Sequence, residues 1–242
     1  MIKKIYKRLD STNRQARLLL ERGEIEEPAW IQADEQYQGK GLGNNNWISE
    51  AGKNITGSVV VFPSYVSAEN QFDLSVATSL AVCDLLELYL EQVKIKWPND
   101  IFSEGKKIAG LLIEHTIQGS AIKNSILGIG LNVNQLKFPD ELPNPTSLRR
   151  ELSIAIEVEE ISDLLLNFVI QRLGMIEEGN SDKLRDEYLR KLYRYREFAP
   201  YKSKGRWFRS RITGVNSFGH LLMETEKGER LEFGFKEVEF ID

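Results

Sequence analysis

The strongest hydrophobic periodicity in the chain lies at residues 71–92. Phe72, Val76, Leu80, Leu85, Leu86 and Leu88 recur as one wide apolar stripe, which predicts an amphipathic helix. Asp10-Ser11-Thr12 offers capping side chains ahead of a shorter helix over 13–22 that Gly23 can close. Residues 157–177 and 182–195 predict two more helices. Residues 1–6 alternate weakly and predict a short strand. Residues 29–33 and 56–62 are apolar enough for strands, and Pro63 stops the second. Further β-rich segments follow at 93–96, 108–118 and 125–134, with turns at Pro98-Asn99-Asp100 and Glu104-Gly105 and a proline-rich loop at 138–145. From about Ala199 the pattern changes to short strands at 206–215, 221–226, 230–235 and 238–241, which predicts a small all-β barrel. The aromatic residues of that tail are expected in its core.

Composition narrows the class. The chain has 242 residues, enough for one large domain with or without a small one, and is 41% hydrophobic and 28% charged, a globular balance. A net charge of −4 disfavours a protein that grips nucleic acid through its overall charge. A single cysteine, Cys83, excludes an intrachain disulfide; with only His115 and His220 far apart, a Cys/His zinc site is excluded as well. Cys83 falls inside the 71–92 helix and is expected to be a packed structural thiol. No apolar run has the length of a membrane span, and no apolar stretch follows the charged residues at the start of the chain. The expectation is a soluble, cytoplasmic protein.

Four stretches carry candidate chemistry. In Gly39-Lys40-Gly41-Leu42-Gly43, three glycines let backbone N–H groups approach an anion, and Lys40 adds a charge; a flexible surface loop is an equal reading. Lys96-Trp97-Pro98-Asn99-Asp100, followed by Lys106-Lys107-Ile108-Ala109-Gly110, puts a carboxylate and an ammonium on neighbouring strands. Such a pair can orient a reacting acid and neutralise charge developing on a phosphate; the alternative is a surface salt bridge. Gly128-Ile129-Gly130-Leu131-Asn132 clears one face of a strand for a close approach. Asp10-Ser11-Thr12-Asn13 is explained by helix capping, except for Asn13.

Together and in this order, the four stretches resemble the biotin protein ligases over nearly the whole chain, with Pro145-Thr146-Ser147-Leu148 resembling the segment that follows. The resemblance implies an α+β fold: a mixed or antiparallel sheet with helices in a catalytic domain over residues 1–190, then an SH3-like barrel over 199–242. It implies ATP and Mg²⁺ as substrate and activator, biotin as substrate, no tightly bound metal, and a biotin carboxyl carrier protein as acceptor. Because the matching motifs begin at Asp10, no DNA-binding domain and no DNA or membrane partner are expected. Relatives dimerise in some cases, which leaves a homodimer open.

Carried over residue by residue, Lys107 matches the lysine that holds the biotin carboxylate and the adenylate phosphate, and Asp100 matches an acid that positions the incoming lysine. Ser11, Thr12, Asn13 and Gln36 match biotin contacts, and Gly39, Lys40 and Gly41 match the start of the ligand loop. Lys40, Leu42, Trp47, Gly128, Gly130 and Asn132 match the nucleotide side. Leu42 departs from the family, standing where an arginine is often found; it carries no charge, and Lys40 cannot supply arginine's bidentate fork. The alternatives are a lipoate or octanoyl ligase or transferase, and a non-catalytic ligand-binding relative. Removal of residues 199–242 is expected to impair catalysis more than the folding of the main domain.

Overall fold

A computed structural model of the chain describes residues 1–43 and 45–241. It opens with β1 (Ile2–Leu9), α1 (Thr12–Glu21), β2 (Ala29–Gln36) and β3 (Ile55–Val61). The connection through α1 lets β1 lie parallel to β2, in register Ile2 to Ala29. A short helical turn leads into α2 (Phe72–Glu87), then an antiparallel run of β4 (Val93–Lys96), β5 (Asp100–Ser103), β6 (Lys106–Gln118) and β7 (Ala121–Leu131). Among the described residues these strands form a seven-stranded sheet in the order β1-β2-β3-β7-β6-β5-β4. The helices α3 (Leu148–Leu152), α4 (Val158–Glu177) and α5 (Ser181–Lys191) precede a second, antiparallel sheet. That sheet comprises β8 (Ala199–Ser203), β9 (Arg206–Val215), β10 (Leu221–Thr225), β11 (Arg230–Phe233) and β12 (Glu239–Phe240), in the order β11-β10-β9-β8-β12. The α+β class, the mixed sheet and the β-rich tail agree with the sequence expectation.

The α2 helix differs from its expected amphipathic character. Thirteen of its sixteen residues are buried, because it lies between the sheet and the α4–α5 pair. Small residues along the helix, Ala77, Ser79, Ala81 and Cys83 among them, are buried with the leucines and let neighbours approach closely. Cys83 is fully buried, and desolvation pushes its thiol pKa up, as expected of a structural cysteine. Asp84 of α2, which is only partly buried, is paired: Arg172 of α4 bonds to it bidentately at 2.6 and 2.7 Å and reaches Glu187 of α5 at 2.7 Å. Those pairs raise the already high Arg172 pKa further, so the three helices are clamped by a permanent cation.

The second sheet has no separate core. Tyr201, Ile212, Leu221, Met223 and Val238 belong to the same apolar cluster as α2 and the first sheet. Phe235 lies 5.6 Å from the Trp97 ring and 6.5 Å from Phe72, and the Trp97 indole N–H donates to the carbonyl of Gly219 at 2.8 Å. This changes the expected effect of truncation. Deleting residues 199–242 uncovers Trp97 and Phe72, at about 1.5–3 kcal/mol per large apolar side chain, against a total stability of about 5–15 kcal/mol. The truncated chain is therefore expected to lose several kcal/mol of stability together with activity. Chemical denaturation of both lengths measures this, and equal midpoints would show that the two sheets fold independently.

Candidate active site

A cleft of about 230 Å³ opens on one face of the first sheet where β5, β6, β7 and β3 lie side by side. Its floor follows from strand register. Asp100 of β5 pairs with Gly110 of β6, and Gly110 pairs with Gly130 of β7; two residues along, Leu112 pairs with Gly128 and Gly128 with Ser58 of β3. With period two, Gly128 and Gly130 face the same side. Each makes room for a different group. A Cβ on Gly130 would lie 2.3 Å from the Trp47 indole, and one on Gly128 would lie 2.3 Å from Asn13 Oδ1 and 2.8 Å from the carbonyl of Leu112. The alternating glycines thus mark a close approach, as their spacing predicts.

At one end stands a neutral polar cluster. The backbone N–H and hydroxyl of Thr12 both donate to Gln36 Oε1, at 2.7 and 3.0 Å. Ser58 Oγ donates to Asn13 Oδ1 at 2.7 Å and lies 2.8 Å from Thr12 Oγ1. The Asn13 amide donates to Glu114 at 2.8 Å and to the carbonyl of Leu112 at 3.1 Å, while Arg17 holds the other Glu114 oxygen. Ser11 is the N-cap residue of α1, yet its side chain caps nothing. The Thr12 hydroxyl is also turned towards the cleft cluster rather than the helix end, so capping does not account for this stretch.

Across the floor, Lys107 Nζ lies 2.6 Å from Asp100 Oδ1, with both side chains about a quarter to a third exposed. The ammonium also lies 5.8 Å from the centroid of the Trp47 ring. Lys107 is held by its own backbone: its N–H donates to the carbonyl of Asn144 at 2.9 Å and its carbonyl accepts from Thr146 at 2.8 Å. Residues 39–43 and 45–47 border the cleft as the legs of a hairpin, with Trp47 N–H donating to Gly39 O at 2.9 Å and Gly41 N–H to Asn45 O at 2.8 Å. A Cβ on Gly39 would lie 2.5 Å from the Trp47 carbonyl, so glycine is required where the hairpin's legs meet. The Trp47 indole N–H is buried without a partner among the described residues, which leaves a donor inside the cleft.

Of the fourteen residues singled out in the sequence, twelve line this cleft. Gly39 closes the hairpin from outside. Asn132 is 4% exposed and lies beneath the site, donating to the carbonyl of Thr146 at 2.9 Å; it ties down the strap that holds Lys107. Sequence reasoning missed Ser58, Glu114, Lys236 and Val238, while Trp97 stood within the Lys96–Asp100 stretch without a role of its own. A serine within Ile-Thr-Gly-Ser-Val-Val-Val and a glutamate within the apolar run of β6 were visible signals. Lys236 and Val238 come from the second sheet and had no local signal.

A cleft that pairs an ammonium and a carboxylate with a glycine floor, a folding-over loop and a neutral polar end has the elements of a site that joins an acid to a phosphate. The fold is that of the biotin protein ligases. A biotin protein ligase from Aquifex aeolicus in complex with biotin and ATP superposes with a TM-score of 0.80 at 24% identity, over 98% of this chain and 97% of that one. The ligase from Leishmania major in complex with biotinyl-5-AMP matches with a TM-score of 0.67 at 20% identity, over 96% and 98% of the two chains. In sequence, the model of the biotin/lipoate A/B protein ligase family matches residues 5–132, and the chain belongs to that family. The biotin–[acetyl-CoA-carboxylase] ligase of Paracoccus denitrificans is 36% identical over 166 residues, 65% of this chain and 67% of that protein. The bifunctional ligase/repressor BirA of Bacillus spizizenii is 33% identical over 141 residues, 57% of this chain but 43% of its own length. The match therefore spans two-thirds of one relative and less than half of the other, and the enzyme class these relatives share is biotin ligase.

Proposed function

We propose that the chain activates biotin with ATP as biotinyl-5′-AMP and transfers it to a lysine of a biotin carboxyl carrier protein. The observation that carries this reading is the Lys107–Asp100 pair set across a glycine floor from the Thr12–Asn13–Gln36–Ser58 cluster. A ureido ring offers two N–H donors and one carbonyl acceptor, and a cluster of neutral hydroxyl and amide groups matches it. The ring of lipoate and the chain of octanoate carry no N–H or carbonyl there, so burying them against the cluster would displace its solvent with no hydrogen bond gained in return. The polar end therefore favours biotin over the lipoate and octanoyl alternatives. The paired lysine and acid favour an enzyme over a ligand-binding relative.

In the first step the biotin carboxylate oxygen attacks the α-phosphorus of ATP. The bond to the bridging oxygen breaks and pyrophosphate leaves. Lys107 brings two anions together by neutralising both, and its charge counts most as negative charge gathers on the phosphorus. In the second step the acceptor amine attacks the acyl carbon and AMP leaves. Asp100 orients the amine and takes up its proton, which requires Lys107 to turn from Asp100 to the phosphate. The 39–47 hairpin shields the mixed anhydride from water. Asp100 is the only carboxylate among the described residues lining the cleft, and no group of three or more His, Cys, Asp or Glu side chains placed to hold a metal is present among the described residues. Magnesium accordingly enters with the nucleotide as part of the substrate. In this reading residues 1–190 form the catalytic domain and 199–242 the SH3-like barrel.

Isothermal titration with biotin and with lipoate tests the polar end separately from catalysis. Biotin is expected to bind at least tenfold more tightly than lipoate, and Ser58→Ala to narrow the gap. Tighter binding of lipoate would replace this reading with that of a lipoate ligase.

A further inference from the structure

Among the described residues the cleft is lined by three cations, Lys40, Lys107 and Lys236, and the single anion Asp100. Lys107 is already paired with Asp100. The third cation comes from far along the chain: Lys236 sits in the β11–β12 turn of the second sheet and reaches the tip of the glycine hairpin. A Cβ on Gly43 would lie 2.3 Å from Lys236 Nζ and 2.7 Å from its Cε. A side chain at position 43 would displace the Lys236 ammonium from the backbone it lies against, and Gly43 also adopts a φ of +66° that favours glycine. The neighbouring acid does not neutralise Lys236, because Glu237 turns back to accept the N–H of Gly234 at 2.7 Å. Lys236 itself has no hydrogen-bond or ion-pair partner among the described residues.

Leu42, beside Gly43, explains why a distant lysine is used. It borders both the cleft and a small apolar hollow with Phe72, Pro98, Leu111 and Phe235. Its position sets an apolar side chain between the cleft and that hollow, which leaves Lys40 as the one cation among the described hairpin residues that line the cleft. Lys236 adds a second, with its ammonium over backbone rather than over a carboxylate.

We propose that Lys236 is a phosphate-binding residue of the active site, holding the nucleotide phosphate from the second sheet alongside Lys40 of the hairpin. The proposal rests on the ligase reading above and extends it to a residue outside the 1–190 catalytic domain. It also couples the second sheet to retention of the activated acid, since an open hairpin and a displaced Lys236 would release the adenylate together.

The test uses the full-length chain with Lys236→Ala, Lys236→Arg and the double variant Leu42→Arg/Lys236→Ala. Two quantities are read in each: biotin affinity without nucleotide, and dissociation of biotinyl-AMP followed by stopped-flow fluorescence of Trp47. A charge-assisted hydrogen bond of about 1.5–3 kcal/mol corresponds to about 10- to 150-fold in rate. Lys236→Ala should release biotinyl-AMP faster by that factor while its biotin affinity stays within about twofold. Lys236→Arg should retain the intermediate. The double variant should recover part of the loss, because an arginine at position 42 reaches the same phosphate. Release at the wild-type rate from Lys236→Ala overturns the proposal, and so does an equal loss of biotin affinity, which marks a structural role. A wild-type chain that binds biotin but forms no biotinyl-AMP fails the ligase reading itself, and the assignment falls with it.

Discussion

Replacing Lys107 with alanine is expected to abolish adenylate formation in a protein that still folds. Its ammonium is the only cation among the described cleft residues that lies within 3 Å of the acid proposed to act in transfer. Two negatively charged substrates must meet above it. Preorganised charge that acts where charge develops contributes about 2.7–4 kcal/mol in comparable sites, so the loss in rate should be about 10²–10³. The cost to folding should be small. Lys107 and Asp100 are partly exposed, and exposed ion pairs contribute about 0–1 kcal/mol. The strand is held by backbone bonds to Asn144 and Thr146, which the substitution leaves alone. Pyrophosphate release and thermal melting, measured on the same preparation, separate the two effects. A folded variant that releases pyrophosphate at the wild-type rate would remove Lys107 from the chemistry.

Gly128→Ala should damage the site through packing rather than charge. The new methyl would fall 2.3 Å from Asn13 Oδ1 and 2.8 Å from the Leu112 carbonyl, both closer than real contacts allow. Neither can yield cheaply. The carbonyl belongs to the β6–β7 ladder, and Asn13 is held by Ser58, Glu114 and Leu112 at once. Overpacking of this kind costs about 1–3 kcal/mol. Because the strain falls on Asn13, biotin affinity should drop by at least tenfold as well. Gly174→Ala is the control, since its added methyl meets nothing within 4 Å in the last turn of α4. It should stabilise the chain by about 0.5–1 kcal/mol and leave binding alone. Equal biotin affinities for Gly128→Ala and wild type would show that Asn13 does not contact the ligand.

Much of this architecture was legible in the sequence where local signals were strong. The helices over 157–177 and 182–195 correspond to α4 and α5, and the shorter helix closed by Gly23 corresponds to α1, where Gly23 adopts a φ of +66°. Three elements were not read. The strand β5 begins at Asp100, inside what the Pro-Asn-Asp signal marks as a turn. The strand β8 begins at Ala199, where the sequence marks only a change of pattern, and its Pro200 lies opposite Arg209 in the second sheet. The helix α3 is a five-residue turn capped by Ser147, whose Oγ accepts from the Arg150 N–H, too short to show a period. In the site, the glycine spacing and the Lys107–Asp100 pair were legible because strand register turns sequence separation into proximity. The cation at Lys236 was not, since 193 residues separate it from Gly43 and only the packing of the second sheet brings them together. The burial of α2 on nearly every side was likewise invisible, because its small polar residues read as a solvent face until α4 and α5 cover them.

The central claim is that this cleft joins biotin to ATP and then to a lysine. A single experiment addresses both steps: the full chain with ATP and Mg²⁺, given biotin or lipoate, without and then with a biotin carboxyl carrier domain, following pyrophosphate release and the mass of the acceptor. The account predicts pyrophosphate release that requires biotin, does not occur with lipoate, and begins before the acceptor is added. It also predicts one biotinyl group gained by one acceptor lysine once the carrier domain is present. Pyrophosphate released with lipoate but not with biotin, or with neither, would contradict it.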